Sequence, residues 1–197
     1  MEQATFPVFL LPTVLFPGGH LPLKVFEQRY IDMVRECCAS NTSFAACLLD
    51  PDQKANQHMT HMRVGTLAEI TDFSTLEDGL LGITATGRQR YMIESTRMRD
   101  NGLMIADVNV MESPAAISVP EEFSVLPMIC GKFMEQIGDR FPDFVPADLD
   151  NADWVGFRMA ELLPYDLEEK QILLQIDDPL ERLQLILNTM QKFQMEG

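Results

Sequence analysis

The chain has 197 residues, 46% hydrophobic and 23% charged, the composition of a globular protein with one large domain or two small ones. Its 30 acidic and 15 basic residues leave a formal charge of −15. That field repels phosphate backbones and anionic headgroups, so neither nucleic acid nor membrane is expected as a partner, and no apolar run approaches the ~20 residues of a spanning helix.

The start, Met1-Glu2-Gln3-Ala4, lacks the basic region of an export signal, and Pro7, Pro12, Pro17 and Pro22 interrupt the apolar stretch that follows. The first half then consists of short apolar segments separated by Gly, Pro, Asn and Asp, the pattern of strands and turns. Strands are expected over Phe6 to Leu11, Leu21 to Val25, Phe44 to Leu49, Val64 to Phe73, Leu80 to Thr86, Arg90 to Arg97 and Met104 to Met111. One helix interrupts them: Phe26, Tyr30, Met33, Val34 and Cys37 recur at helical spacing from about Glu27 to Ala39. Cys37, Cys38, Cys47 and Cys130 show neither CxxC spacing nor a disulfide framework, which fits the reduced cytoplasm. They read as small buried hydrophobes.

The pattern changes at Ser113-Pro114, dividing a β-rich part, 1–113, from a helical part, 114–197. A helix is expected between Pro120 and Gly138, with Pro127 ending or kinking its first turns. Asn151 can cap a helix carrying Trp154, Val155, Met159 and Leu162, which Pro164 stops. Asp166, with Glu169 three residues on, opens another as a capping box. Asp178-Pro179 opens the last, whose apolar face holds Leu183, Ile186, Leu187, Met190 and Phe193.

The string Phe6-Pro7-Val8-Phe9-Leu10-Leu11-Pro12-Thr13-Val14-Leu15-Phe16-Pro17-Gly18-Gly19-His20-Leu21-Pro22-Leu23 resembles the opening of the Lon protease N-terminal, substrate-binding domain. Lys24 to Tyr30, Val64 to Ile70, and Gly79 to Arg90 are similar to its following segments. Trp154 to Leu163, Asp166 to Gln171 and Asp178 to Leu183 are similar to its helical part, so the resemblance covers nearly the whole chain. It implies an α+β fold, a PUA-like partly open β-barrel followed by a helical bundle. It also implies a bacterial-type, cytoplasmic module that contacts unfolded or tagged polypeptides, in a free-standing form without the ATPase and peptidase of Lon.

The chemistry-bearing motifs agree with a non-enzymatic reading. A Walker A loop needs closely spaced glycines before its lysine, but ahead of Gly131-Lys132 the first glycine's place holds Leu126. No GxSxG or dinucleotide loop occurs. A serine-lysine peptidase leaves no such signature and stays open from motifs alone, although the resemblance puts the peptidase elsewhere. His58 and His61 share a helical spacing but lack further metal ligands, and their surroundings read as a polar loop. The paired acids Asp148 and Asp150, and Glu168 and Glu169, lie at helix starts and read as caps. Arg88, Arg90, Arg97 and Arg99 are the one basic cluster, readable as an RNA contact or as partners of the acidic surface. No cofactor or metal is expected.

For a polypeptide, the candidate contacts are Phe16, in the Pro-Gly turn, and Phe141 and Phe144, in the Phe-Pro-rich segment between helices, with Arg29 as a polar anchor. A phenylalanine beside proline also folds back over a core, the competing reading at each site. The leading expectation is an adaptor or holding factor. The alternative is an interaction protein that forms a homo-oligomer or competes for Lon clients, and a small hydrolase is a third reading.

Overall fold

The computed structural model describes residues 2–50 and 61–196. The chain divides into two compact units, Met1–Ser113 and Pro114–Gly197. The expected loop through Asn56 and His58 lies outside the described residues.

In the first unit β1 (Glu2–Leu11), β2 (His20–Val25), β3 (Phe44–Leu48), β4 (Val64–Thr75), β5 (Leu81–Met98) and β6 (Met104–Val110) form one mixed sheet. Its order is β2-β5-β4-β3-β1-β6, and β5 pairs with β6 as well. Five strands thereby close into a ring, while β2 stays outside it, paired with β5. This is a partly closed barrel in an α+β fold. The β1–β3 pairing is parallel. Parallel neighbours need a crossover, and α1 (Gln28–Ser40) lies in it.

Successive strand residues serve opposite faces. Val8, Ala45 and Leu67 join Tyr91, Ile93 and Val108 in one apolar cluster. Their neighbours Phe9, Ala46 and Ala68 join a second, into which α1 packs Tyr30, Met33, Val34 and Cys37. Because β3 is buried along its whole length, Phe44-Ala45-Ala46-Cys47-Leu48 carries no polar alternation. The helix ends at Asn41, whose left-handed φ of 51° brings its amide back to the Cys37 carbonyl.

Where two strands were expected, Leu80 to Thr86 and Arg90 to Arg97, the structure has the single β5, with Gly87 inside it. Gly87 does not break the strand. It admits the Phe16–Gly19 turn: the Gly18 amide donates to the Gly87 carbonyl at 2.8 Å, and the Gly87 amide donates to the Gly19 carbonyl at 2.9 Å. A Cβ on Gly87 would lie 2.2 Å from the Phe16 carbonyl oxygen. The buried Thr66 hydroxyl holds the same turn through the Leu15 carbonyl at 2.6 Å.

The second unit comprises α2 (Val125–Ile137), α3 (Ala152–Leu162), α4 (Leu167–Gln175) and α5 (Pro179–Glu196), with short 3-10 turns between them. The expected helix opens as a separate 3-10 turn, Glu121–Phe123, and α2 proper begins at Val125, just ahead of Pro127. Pro127 stands in the first turn, where an amide has no helical acceptor to lose. The Asn151 side chain accepts from the Asp153 and Trp154 amides, and Asp166 and Glu169 form the reciprocal box. Pro164 forces Leu163 into extended backbone with ψ 153°, which stops α3.

Two arginines are fully buried in this unit. Arg182 donates from Nη1 to Asp153 Oδ1 at 2.7 Å and from Nε to the Leu173 carbonyl at 3.0 Å, with the Ile176 carbonyl on Nη2. Its guanidinium lies 3.9 Å from the Phe157 ring centre. Gly156 makes room for its stem, since a Cβ there would stand 3.0 Å from Arg182 Cδ. Arg158 pairs with Glu161 at 3.0 Å and sits against Phe141 and Trp154.

Gly87→Ala should cost about 1–3 kcal/mol in urea unfolding, because the strand or the Phe16 turn has to move. Gly138→Ala, where nothing lies within 4 Å, should be neutral or slightly stabilising. Equal stabilities would contradict the packing at Gly87.

Acid should act through Asp107, which accepts from Thr5 at 2.7 Å, Arg97 at 3.0 Å and Ser95 at 2.9 Å, contacts that hold its carboxyl down to about 2. Against an unfolded value of about 3.9, this favours the folded carboxylate. Its stabilisation is complete above about pH 4 and lost as pH falls toward 2. Asp107→Asn should melt below wild type at pH 7 and converge with it in acid. Melting curves that stay parallel at every pH would count against the role of this carboxylate.

Candidate functional site

A cleft of about 410 Å³ opens between the end of β1, the end of β2 and the first turn of α1. Its floor is Phe9 stacked on Tyr30, ring centres 4.0 Å apart, with Phe44 behind Phe9 at 5.9 Å. Burial raises the pKa of the Tyr30 hydroxyl, opposed by the neighbouring Arg29 guanidinium and the Leu10 main chain. At the mouth stands Phe26, 66% exposed. It immediately precedes Glu27, the N-cap of α1, so it lies outside the helical stripe that buries Tyr30 and Met33.

Arg29 forms one wall. Nη1 donates to the Gly102 carbonyl at 3.0 Å, Nη2 pairs with Glu27 at 2.7 Å, and the guanidinium lies 4.7 Å from the Tyr30 ring centre. Nε is buried without a hydrogen-bond acceptor among the described residues. A second cleft, of about 260 Å³, shares Leu23 and Lys24 with the first and extends to Phe73, Leu76 and Gly82. Phe73 is 71% exposed. Lys24 is ion-paired with Asp78 beside it, a contact that lowers the pKa of Asp78. Both clefts thus border the same stretch of β2.

The candidate residues read from sequence fall in different settings. Arg29 lines the first cleft. Phe16 is 1% exposed and Phe141 is 5% exposed, so each ring packs into its unit's core, with Phe141 lying against Arg158. Phe144 is half-buried and stacks on Trp154 at 5.4 Å. The basic cluster is not a continuous patch: Arg88 pairs with Glu69, Arg97 with Asp107 and Arg99 with Glu36, and Arg90 is buried. Among the described residues no three His, Cys, Asp or Glu side chains gather as a metal site. No helix among them is long and apolar enough to cross a membrane.

Residues 5–192 match the family model of the ATP-dependent protease La (LON) substrate-binding domain. The chain belongs to this family. It is 26% identical to the Lon protease of Cytophaga hutchinsonii over 98% of the chain, and 27% identical to the protein cereblon of Danio rerio over 66% of it. The matches occupy 25% and 28% of those proteins, so the chain spans about a quarter of the curated relatives it matches. The Lon N-terminal domain protein from Xanthomonas campestris superposes with a TM-score of 0.79 at 34% identity, covering 94% of this chain and 98% of that one. The N-terminal domain of the Mycobacterium avium complex Lon protease shares the fold with a TM-score of 0.62 at 16% identity, covering 94% and 97%.

Sequence reasoning passed over Phe26 and Phe73. Phe26 has the right spacing to join the apolar face of α1, and Phe73 closes the strand expected over Val64 to Phe73. The usable signal at Phe73 was its company, since Asp72, Ser74 and Thr75 are exposed as well. Phe26→Ser and Phe73→Ser should each leave folding stability within about 0.5 kcal/mol of wild type, whereas Phe16→Ala and Phe141→Ala should cost about 3–5 kcal/mol. Urea titration checks this. A large loss at Phe26 would mean that its ring is part of the core.

Proposed function

We propose that this chain is a non-catalytic polypeptide-binding module, and that unfolded or tagged polypeptides place apolar side chains in the cleft between β1, β2 and α1. The observation that carries the reading is an open apolar cleft with a stacked aromatic floor and a solvent-exposed phenylalanine at its mouth, in a chain of the Lon substrate-binding family. Exposed apolar surface beside a concave site is what a partner covers. Phe26 and Phe73 supply aromatic area, and Arg29 gives the cleft a polar wall. Absence of the phosphate-cradling loop and of a nucleophile motif supports a role in holding a client without cleaving it. Such a module acts as an adaptor or holding factor.

Fluorescent casein, which is unfolded, titrated with the protein should show saturable binding and remain intact in the presence of ATP. Phe26→Ser should weaken binding about ten-fold, the loss of one well-placed aromatic contact, with no change in melting on the same samples. Unaltered affinity in Phe26→Ser and in Phe73→Ser would remove the cleft as the site. Casein cleavage that copurifies with the protein and disappears on substitution of one of its residues would overturn the non-catalytic reading.

A further inference from the structure

Among the described residues no strand pairs with the outer edge of β2, whose main-chain groups follow a defined pattern. β2 pairs with β5 in antiparallel register, from His20 opposite Thr86 to Val25 opposite Leu81. In such a ladder, alternate residues turn their amide and carbonyl toward the partner and away from it. The Gly19 carbonyl accepts from the Gly87 amide, so the alternation continues toward β5 through Leu21, Leu23 and Val25. His20, Pro22 and Lys24 then direct their main chains outward. Pro22 obeys the same parity: lacking an amide hydrogen, it is tolerated where that group would have faced away from the sheet. The outward groups are the Pro22 carbonyl and both the amide and the carbonyl of Lys24.

We infer that β2 accepts an extended polypeptide segment as an added strand, hydrogen-bonded at Pro22 and Lys24, with apolar side chains alternating with basic ones. This rests on the polypeptide-binding reading and specifies its geometry. Side chains on the Leu23 face of the added strand fall beside the cleft floored by Phe9 and Tyr30, which selects apolar groups at alternate positions. Charge selects the others. The first unit holds 14 acidic and 9 basic residues, a net −5, and the two cations at the cleft, Lys24 and Arg29, are paired with Asp78 and Glu27. A cationic segment is therefore drawn to this domain and an anionic one repelled.

The test uses an end-capped, fluorescein-labelled peptide alternating leucine and lysine, together with three variants: N-methylated at every leucine, N-methylated at every lysine, and with glutamate for lysine. In a strand all leucine amides face one edge and all lysine amides the other. One methylated peptide should therefore lose about ten-fold or more in affinity and the other should bind like the parent, while the glutamate peptide should bind at least ten-fold more weakly. Lys24→Pro, which removes the outward amide, should weaken the parent peptide by a similar factor; melting of the same samples separates this from unfolding. Equal binding by both methylated peptides, equal loss in both, or a parent peptide that fails to bind while casein binds would overturn the added strand and leave the casein-binding function standing. A glutamate peptide as tight as the parent overturns the charge selection. Failure of casein itself to bind removes both readings.

Discussion

The architecture of the first unit depends on one strand, β5, being long enough to serve three neighbours. Along one edge it pairs with β4; along the other it pairs first with β2, through Leu81 to Thr86, and then with β6, through Tyr91 to Met98. The second pairing closes the five-strand ring. The first leaves β2 beyond the ring, with one edge unpaired by any strand among the described residues. Between the two, at Gly87, neither strand is present, and the Phe16–Gly19 turn takes the vacant main-chain bonds. Ring closure, free edge and turn are therefore consequences of how one 18-residue strand is shared.

In the second unit the organising contacts are charged groups withdrawn from water. A guanidinium buried without compensation would cost several kcal/mol. Arg182 avoids this by placing its planar donors on Asp153 and on the carbonyls of Leu173 and Ile176, which links α5 to α3 and to the end of α4. The two carbonyls lie in the last turn and C-cap of α4, where helical acceptors are otherwise left open. One side chain thus satisfies a helix terminus and an ion pair together. Arg158 lies against the aromatic faces of Phe141 and Trp154 and pairs with the Glu161 carboxylate; burial lowers its pKa.

What could be read from the sequence was what neighbouring residues decide. Asn151 and Asp166 cap their helices through amides two or three residues away, so the signal and its target lie in one window. The apolar stripe of α1 was legible for the same reason, and the family resemblance supplied the order of the elements. The misreadings arose where distant contacts decide. Gly87 looks like a strand breaker until the Phe16 carbonyl is placed against it. Arg158 and Arg182 were not singled out from the sequence, because only the folded arrangement supplies their partners. Phenylalanine gave the least information: Phe16 and Phe141 are buried while Phe26 and Phe73 are exposed, and neither residue type nor spacing separates the pairs.

The cleft beside β2 combines a fixed floor with a free rim, and the two parts have different energetic roles. Phe9, Tyr30 and Arg29 are each held by contacts that exist without a ligand: the aromatic stack, and the Gly102 and Glu27 oxygens. Side chains already ordered lose little further entropy when a partner arrives, so apolar area covered on this floor is retained as affinity. Phe26 is the opposite case, an exposed ring that a partner must immobilise as it covers it. Apolar burial is non-directional, and main-chain pairing at a strand edge is indifferent to side-chain identity. On the proposed mode, a surface built from these two elements discriminates first by conformation, accepting chain that is extended and has its backbone unpaired, and charge then adds its preference. Folded proteins, whose strand edges and apolar side chains are already engaged, offer it little, which is the selectivity a holder of unfolded chains requires.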